Sequence, residues 1–218
     1  MPLSDTDRVR WQKIFEEKIA TSDLGNDPAH DLAHFRRVSR TARLLCELEG
    51  GDLDIVTPAA WLHDLVNVPK NDPRRSLASR LSAEAAVAFL RSQNYPEAHL
   101  PEIAHAIEAH SFSAKIEPRS LESAIVQDAD RLDGLGAIGI ARCFAVAGLL
   151  KRPLYHPEDP FGSARELNDL DYTLDHFFVK LFKVAETLRT PAGRKEGALR
   201  VEAMRNFLTQ LDREISTP

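Results

Sequence analysis

Four side chains with metal-binding chemistry stand in order along the chain: His34, the adjacent His63 and Asp64, and Asp130. Imidazole nitrogens combined with carboxylate oxygens suit a borderline-to-hard divalent ion, manganese foremost, with Mg, Ni, Co or Fe as alternatives. His63 and Asp64 are consecutive, so on a helix their side chains diverge by about 100°. They can meet one ion only near a helix end, where a loop begins. His34 and Asp130 would close the site from two other helices, as in metal centres built inside helical bundles. An ion so held keeps room for water and a substrate oxygen, and can acidify that water while polarising a phosphoryl group. Singly, each residue says little. His-Asp pairs arise by chance, and His30-Asp31 in the same chain is one. The joint pattern points to metal: each member sits at a helix junction or in a polar island within an apolar helix.

Cationic side chains flank these residues. Arg37 lies three positions past His34, on nearly the same helical face. Lys70, Arg74 and Arg75 follow the metal pair on a loop rich in turn formers. Guanidinium forks bind phosphate oxygens in pairs, and lysine supplies a compact charge. Adjacency assigns Arg37, Lys70 and Arg74 to substrate phosphates; Arg36 and Arg75 are left to the solvated surface. His110 shares a face with Ile103 and Ile107, which suits either a substrate-facing group or a part-buried histidine bonded to a neighbour. Asp133 follows Asp130 by three and shares its face, so it could orient a ligand or a water. Asp128 points elsewhere and reads as structural. Among loop motifs, GxxxxGK[ST], a nucleophile elbow and HExxH are all missing from the sequence.

The elements that must hold these residues read as helix almost throughout, with no sustained period-two alternation. A first helix is expected from about Asp7 to Ala20. A second carries Phe35, Val38, Ala42, Leu45 and Cys46, and stops at Gly50-Gly51. A third starts after a cap at Asp54 and ends in Trp61-Leu62-His63-Asp64-Leu65. A fourth starts near Ser82, and a fifth begins with Pro101 in its first turn. A sixth is expected from Ser120 through Asp133 and onward to Leu150. Two more follow, one marked by Phe177, Leu181, Val184 and Leu188. The other is capped by Thr190-Pro191 and marked by Val201, Met204, Leu208, Leu211 and Ile215. Their apolar stripes predict an antiparallel pair. The expected organisation is all-α: an N-terminal helix over 1–29, a core over 30–150, an irregular loop or lid over 151–168, and a C-terminal helical pair over 169–218 packed on that core.

Bulk composition narrows the partners. The 218 residues are 43% hydrophobic and 28% charged, in the ordinary globular range. A net charge of −5 speaks against a polymeric nucleic acid, which usually meets a basic face, but not against a small anion. Cys46 and Cys143 each lie in an apolar helical stretch and read as buried thiols in a reducing compartment. The charged first residues lack an apolar leader segment, and no apolar run approaches the ~18 residues of a membrane span. A soluble cytoplasmic protein without a membrane partner is expected, with room left for a homodimer.

Longer strings carry a resemblance. His30-Asp31-Leu32-Ala33-His34-Phe35-Arg36-Arg37-Val38 resembles the opening motif of the HD-domain metal phosphohydrolases. Leu62 through Asn71, Gln127 through Arg142 and the ending His176 to Leu208 are similar to a narrower bacterial branch, the YedJ/YpgQ-like proteins. The resemblance covers most of the chain from His30 onward. It implies a single helical HD domain whose metal is held by His34, His63, Asp64 and Asp130. It also implies a nucleotide substrate, with hydrolysis of (deoxy)nucleoside triphosphates to monophosphate and pyrophosphate. The alternatives are a phosphatase on nucleoside monophosphates, a hydrolase of a signalling nucleotide, or a non-catalytic nucleotide-binding domain. In two-metal relatives, a histidine placed like His110 contacts the second ion. Some nucleotidase relatives carry a catalytic glutamate three residues after the His-Asp aspartate. Here that position is Asn67, which exchanges no proton near neutral pH. Water activation then falls to the metal, or to a carboxylate such as Asp64 or Asp133.

Overall fold

A computed structural model describes residues 2–22, 31–68, 72–111 and 114–216. All regular structure among them is helical. The chain divides into two compact units: residues 1–130 with 189–192, and residues 131–188 with 193–218.

The first unit holds α1 (Asp5–Ala20), α2 (Leu32–Glu49), α3 (Leu53–Leu62), α4 (Ala78–Ser92), α5 (Leu100–His110) and most of α6 (Leu121–Asp133). Helix α3 is apolar on every side, and nearly all of it is buried, as a central helix requires. It packs against α1, α2, α4 and α5. Trp11, Phe15 and Ile19 of α1 recur at spacings of four and are all buried. Phe35, Val38, Ala42, Leu45 and Cys46 form the buried stripe of α2. Each large apolar side chain so buried is worth roughly 1.5–3 kcal/mol. Helix α2 stops where expected, at Gly50 with φ of 79°.

Pro58 lies inside α3 and lacks the N–H that the Asp54 carbonyl would otherwise receive. The Tyr95 hydroxyl donates to that carbonyl instead, at 2.6 Å. The Asp54 carboxylate accepts from the Leu3 N–H at 2.7 Å and from Arg8 Nε at 2.8 Å, which clamps α1 onto the start of α3. The N-cap of α3 is therefore Asp52, not Asp54 as its sequence suggests.

The second unit holds α7 (Gly136–Leu149), a π-helical turn (Phe177–Leu181) continuing into α8 (Phe182–Glu186), and nearly all of α9 (Pro191–Ser216). Here three expectations are corrected. The single helix from Ser120 to Leu150 is two, because the chain breaks at Gly134-Leu135 and Gly136 takes φ of 68°. A Cβ at Gly139 would lie 2.2 Å from the Gly134 carbonyl oxygen, so glycine permits this sharp re-entry. The stretch around Phe177 is a π turn and a short α-helix, with Leu188 beyond its end. In the first unit, α4 starts at Ala78, a turn before the expected Ser82. The C-terminal pair meets through aromatic rings, with Phe177 stacked on Phe207 at 6.2 Å and Arg205 over Phe182 at 4.8 Å.

Residues 151–174 lack regular helix but are tied down. Arg165 donates to both oxygens of the buried Asp175, at 2.6 and 2.7 Å, and the Asn168 N–H adds a third bond at 2.6 Å. Among the described residues, no single helix is long and apolar enough to cross a membrane.

Candidate metal centre

Three helices of the first unit bring the predicted ligands together. Asp31 caps α2, its carboxylate accepting from the His34 N–H at 2.8 Å, so the chance His-Asp pair has a structural use. His30 lies outside the described residues. His34 falls in the first turn of α2, where its ring is fully buried. His63 is the C-cap of α3, and Asp64 occupies the turn beyond it. Asp130 comes from α6.

His34 Nε2 and His63 Nε2 stand 3.2 Å apart, and Asp130 Oδ1 lies 3.7 Å from each. Asp64 Oδ2 is 3.9 Å from His63 Nε2, while its Oδ1 faces His110 Nε2 at 3.4 Å. His34, His63 and Asp130 form one donor cluster, and His63, Asp64 and His110 a second that shares His63. Atoms bound about 2.1 Å from one ion stand about 3–3.4 Å from each other. The observed spacings are close to that range, and the set mixes nitrogen with anionic oxygen, so these residues fit a divalent cation.

Protonation favours ligation. His63 Nδ1 donates to the Ala60 carbonyl at 2.9 Å, which leaves the Nε2 lone pair facing the cluster. Burial pushes His63 down to about 4, an effect that the Asp64 charge only partly offsets. The ring is neutral at neutral pH. Burial acts in the same direction on His110, but the Asp64 hydrogen bond and charge outweigh it and raise His110 to about 9. Its Nδ1 donates to the Ile107 carbonyl at 2.6 Å. Burial would raise Asp130, yet the surrounding imidazoles hold it below the usual carboxylate range.

The chain leaving the metal pair is braced. The Val66 N–H donates to Ser82 Oγ at 3.2 Å, and Arg75 Nη1 donates to the Val68 carbonyl at 2.7 Å. Arg75 is thus a strut of this loop, a part its place in a basic run does not reveal. Arg74 is exposed and pairs with Asp72 through Nε at 3.1 Å and Nη2 at 2.8 Å. Lys70 lies outside the described residues. Arg37 is half-buried on α2, one turn past His34, while Arg36 binds Glu16 of α1 through Nε and Nη2. Asp133 belongs to the second unit, where Arg142 Nη1 donates to its Oδ2 at 2.6 Å. Asp128 is structural as expected, accepting from the Arg189 and Thr190 N–H groups at the start of α9.

The HD domain family matches residues 31–135, which include every member of the two donor clusters. The Bacillus subtilis protein YpgQ is 33% identical over 190 residues, 85% of this chain and 84% of that protein. The chain belongs to the HD-domain family. Among solved HD relatives, Bacillus subtilis YpgQ in complex with ADP is 30% identical with a TM-score of 0.73, over 94% of this chain and 98% of that one. An HD-superfamily hydrolase from Bacillus thuringiensis is 29% identical with a TM-score of 0.74, over 99% and 100%. A predicted HD-superfamily hydrolase from an uncultured Thermotogales bacterium is 26% identical with a TM-score of 0.61, over 94% and 91%. In this HD domain His34 and His63 converge with Asp130, and Asp64 joins them through His63.

Proposed function

We propose that this HD-domain chain is a metal-dependent nucleotide phosphohydrolase that converts nucleoside triphosphates to monophosphate and pyrophosphate. The observation that carries the reading is the pair of donor clusters, His34–His63–Asp130 and His63–Asp64–His110, that meet at the buried His63. The ADP held by the similar YpgQ supports a nucleotide as the ligand. When bound, a divalent cation there supplies Lewis acidity toward a phosphoryl oxygen and lowers the pKa of water.

The chain's own residues do the rest. His34, His63, Asp64 and Asp130 would hold the cation through imidazole nitrogens and carboxylate oxygens. His110 turns its Nε2–H to Asp64 Oδ1, which holds that carboxylate in place; as a substrate-facing group it would have to exchange this partner for a phosphate oxygen. Arg37, Lys70 and Arg74 steady the departing group by charge and paired hydrogen bonds. Arg74 can exchange Asp72 for phosphate at small cost, because an exposed ion pair is worth little. Asp64 is the carboxylate assigned to proton transfer from the attacking water. Asp133, the other carboxylate that the sequence offers for this role, lies in the second unit and pairs there with Arg142. Pyrophosphate departs with less need of protonation than a sugar alkoxide, which suits asparagine at position 67.

The test is a panel of nucleotides with Mn, Mg, Ni or Co, scored separately for phosphate and pyrophosphate, and run in oxygen-18 water. Pyrophosphate should be released, with the label in the nucleoside monophosphate. Orthophosphate as first product would move the attack to the terminal phosphorus and overturn the reaction assigned here.

A further inference from the structure

α5 ends at His110, and the chain leaves it in extended conformation at Ser111, with φ −69° and ψ 124°. The last carbonyls of a helix have no partner within it. Two of those in α5 are satisfied by side chains. His110 Nδ1 donates to the Ile107 carbonyl at 2.6 Å, and Gln127 Nε2 donates to the Ala109 carbonyl at 2.6 Å. Ala109, His110 and Gln127 are all buried, so water does not substitute for these bonds.

The Gln127 amide is itself held from behind. Its Oε1 accepts from Arg189 Nε at 2.9 Å. A donor to a carbonyl on one side and an acceptor from guanidinium on the other allow the amide one orientation. Arg189 is fixed in turn: its N–H donates to Asp128 Oδ1 at 2.9 Å, and its two terminal nitrogens fork onto Glu117 at 2.6 and 2.9 Å. A chain of bonds thus runs from Glu117 through Arg189 and Gln127 to the peptide that precedes His110. All four residues belong to the first unit.

We infer that Gln127 is a positioning residue for His110, setting the imidazole against Asp64 by fixing the last turn of α5 from α6. The inference rests on the functional reading above in giving His110 a place beside the substrate. Gln127 touches no reacting atom; it acts through the Ala109 peptide. Because Gln127 and Asp130 share α6, the same helix sets both the metal carboxylate and the ring opposite Asp64.

The experiment compares wild type, Gln127→Met and Arg189→Met. Methionine at 127 keeps the length of the side chain and removes both hydrogen bonds. Methionine at 189 leaves the Gln127 amide in place but frees its Oε1. In metal-free protein, the Nδ1–H proton of His110 is followed by nitrogen-15 edited NMR. It should shift and broaden in Gln127→Met, and less so in Arg189→Met. With manganese and a nucleoside triphosphate, kcat should fall about tenfold in Gln127→Met while KM changes little. An unmoved His110 signal in a folded Gln127→Met, with only the melting temperature lowered, overturns the inference. If Gln127→Met gives no folded spectrum, Arg189→Met decides by the same signal, and an unmoved signal there overturns it. A moved His110 signal in a chain whose wild type cleaves no nucleotide would sink the functional reading and leave the positioning role standing.

Discussion

His63 and His110 lie edge to face with ring centroids 4.8 Å apart, yet they titrate in opposite directions. Burial takes His63 from 6.5 down to about 4, while Asp64 overrides burial and carries His110 from 6.5 up to about 9. Between pH 4 and 6.5 the unfolded chain binds the His63 proton and the folded chain does not, so stability rises with pH. Between 6.5 and 9 the folded chain keeps the His110 proton that the unfolded chain has released, so stability falls. In metal-free protein, melting temperature followed from pH 5 to 9 should peak near pH 6.5, and His110→Ala should flatten the alkaline limb. A steady rise to pH 9 in wild type would contradict this assignment. Asp64→Ala should abolish bound manganese while the far-ultraviolet circular dichroism persists; full metal occupancy by elemental analysis would remove Asp64 from the ligand set. Replacing Lys70 or Arg74 by methionine should raise KM for a triphosphate severalfold with metal content intact. If neither change alters turnover or KM, the loop is a solvated surface. That His34, His63, Asp64 and Asp130 lie near one another was legible, because residue type and order suffice to name them as a set. The Asp64–His110 pairing was not, since it depends on how the end of α5 meets the turn after α3.

At the level of elements, α3 shows how a sequence defect is repaired in space. Pro58 strips one hydrogen bond from the helix that delivers His63, and Tyr95, far along the chain, restores it. Tyr95→Phe should leave the Asp54 carbonyl buried without its donor and cost about 1–3 kcal/mol. The expected readout is a lower urea midpoint; an unchanged midpoint would mean that water fills the gap. Apolar periodicity gave α1, α2 and α5 nearly to the residue, because caps and stripes are local. It ran α6 into α7 because the apolar residues continue across Gly134–Gly139, whereas the break is made by one left-handed glycine. It left 151–168 as an irregular stretch, because the bond from Arg165 to Asp175 is written in no periodicity.

For the whole molecule, the HD match and the compact units divide the chain at nearly the same place. The family matches residues 31–135, and the first unit reaches Asp130. Every member of the two donor clusters lies in that first unit. The sequence put a boundary near residue 150, because the apolar run to Leu150 looked like one helix of the core. The first compact unit ends at Asp130, on α6. A cation that binds only the folded form adds stability as RT ln(1 + [L]/Kd), about 2.7 kcal/mol at a hundred times Kd. Saturating manganese should therefore raise the melting temperature of wild type and leave that of Asp130→Ala unmoved. An equal rise in both would place the ion elsewhere.

The proposed ligands enter from the first turn of α2, the end of α3 and the last turn of α6. An extended chain presents no site to an ion, since the loops between these donors must close before the second and third can reach it. Metal capture is then a late event on the folding route, after the helices have docked. A late contact slows escape from the native state without hastening arrival at it. Manganese should depress the unfolding limb of the chevron and leave the refolding limb where it is. For this chain the ion would serve as a lock on a finished fold, and removing it would shorten the native lifetime long before it altered the shape.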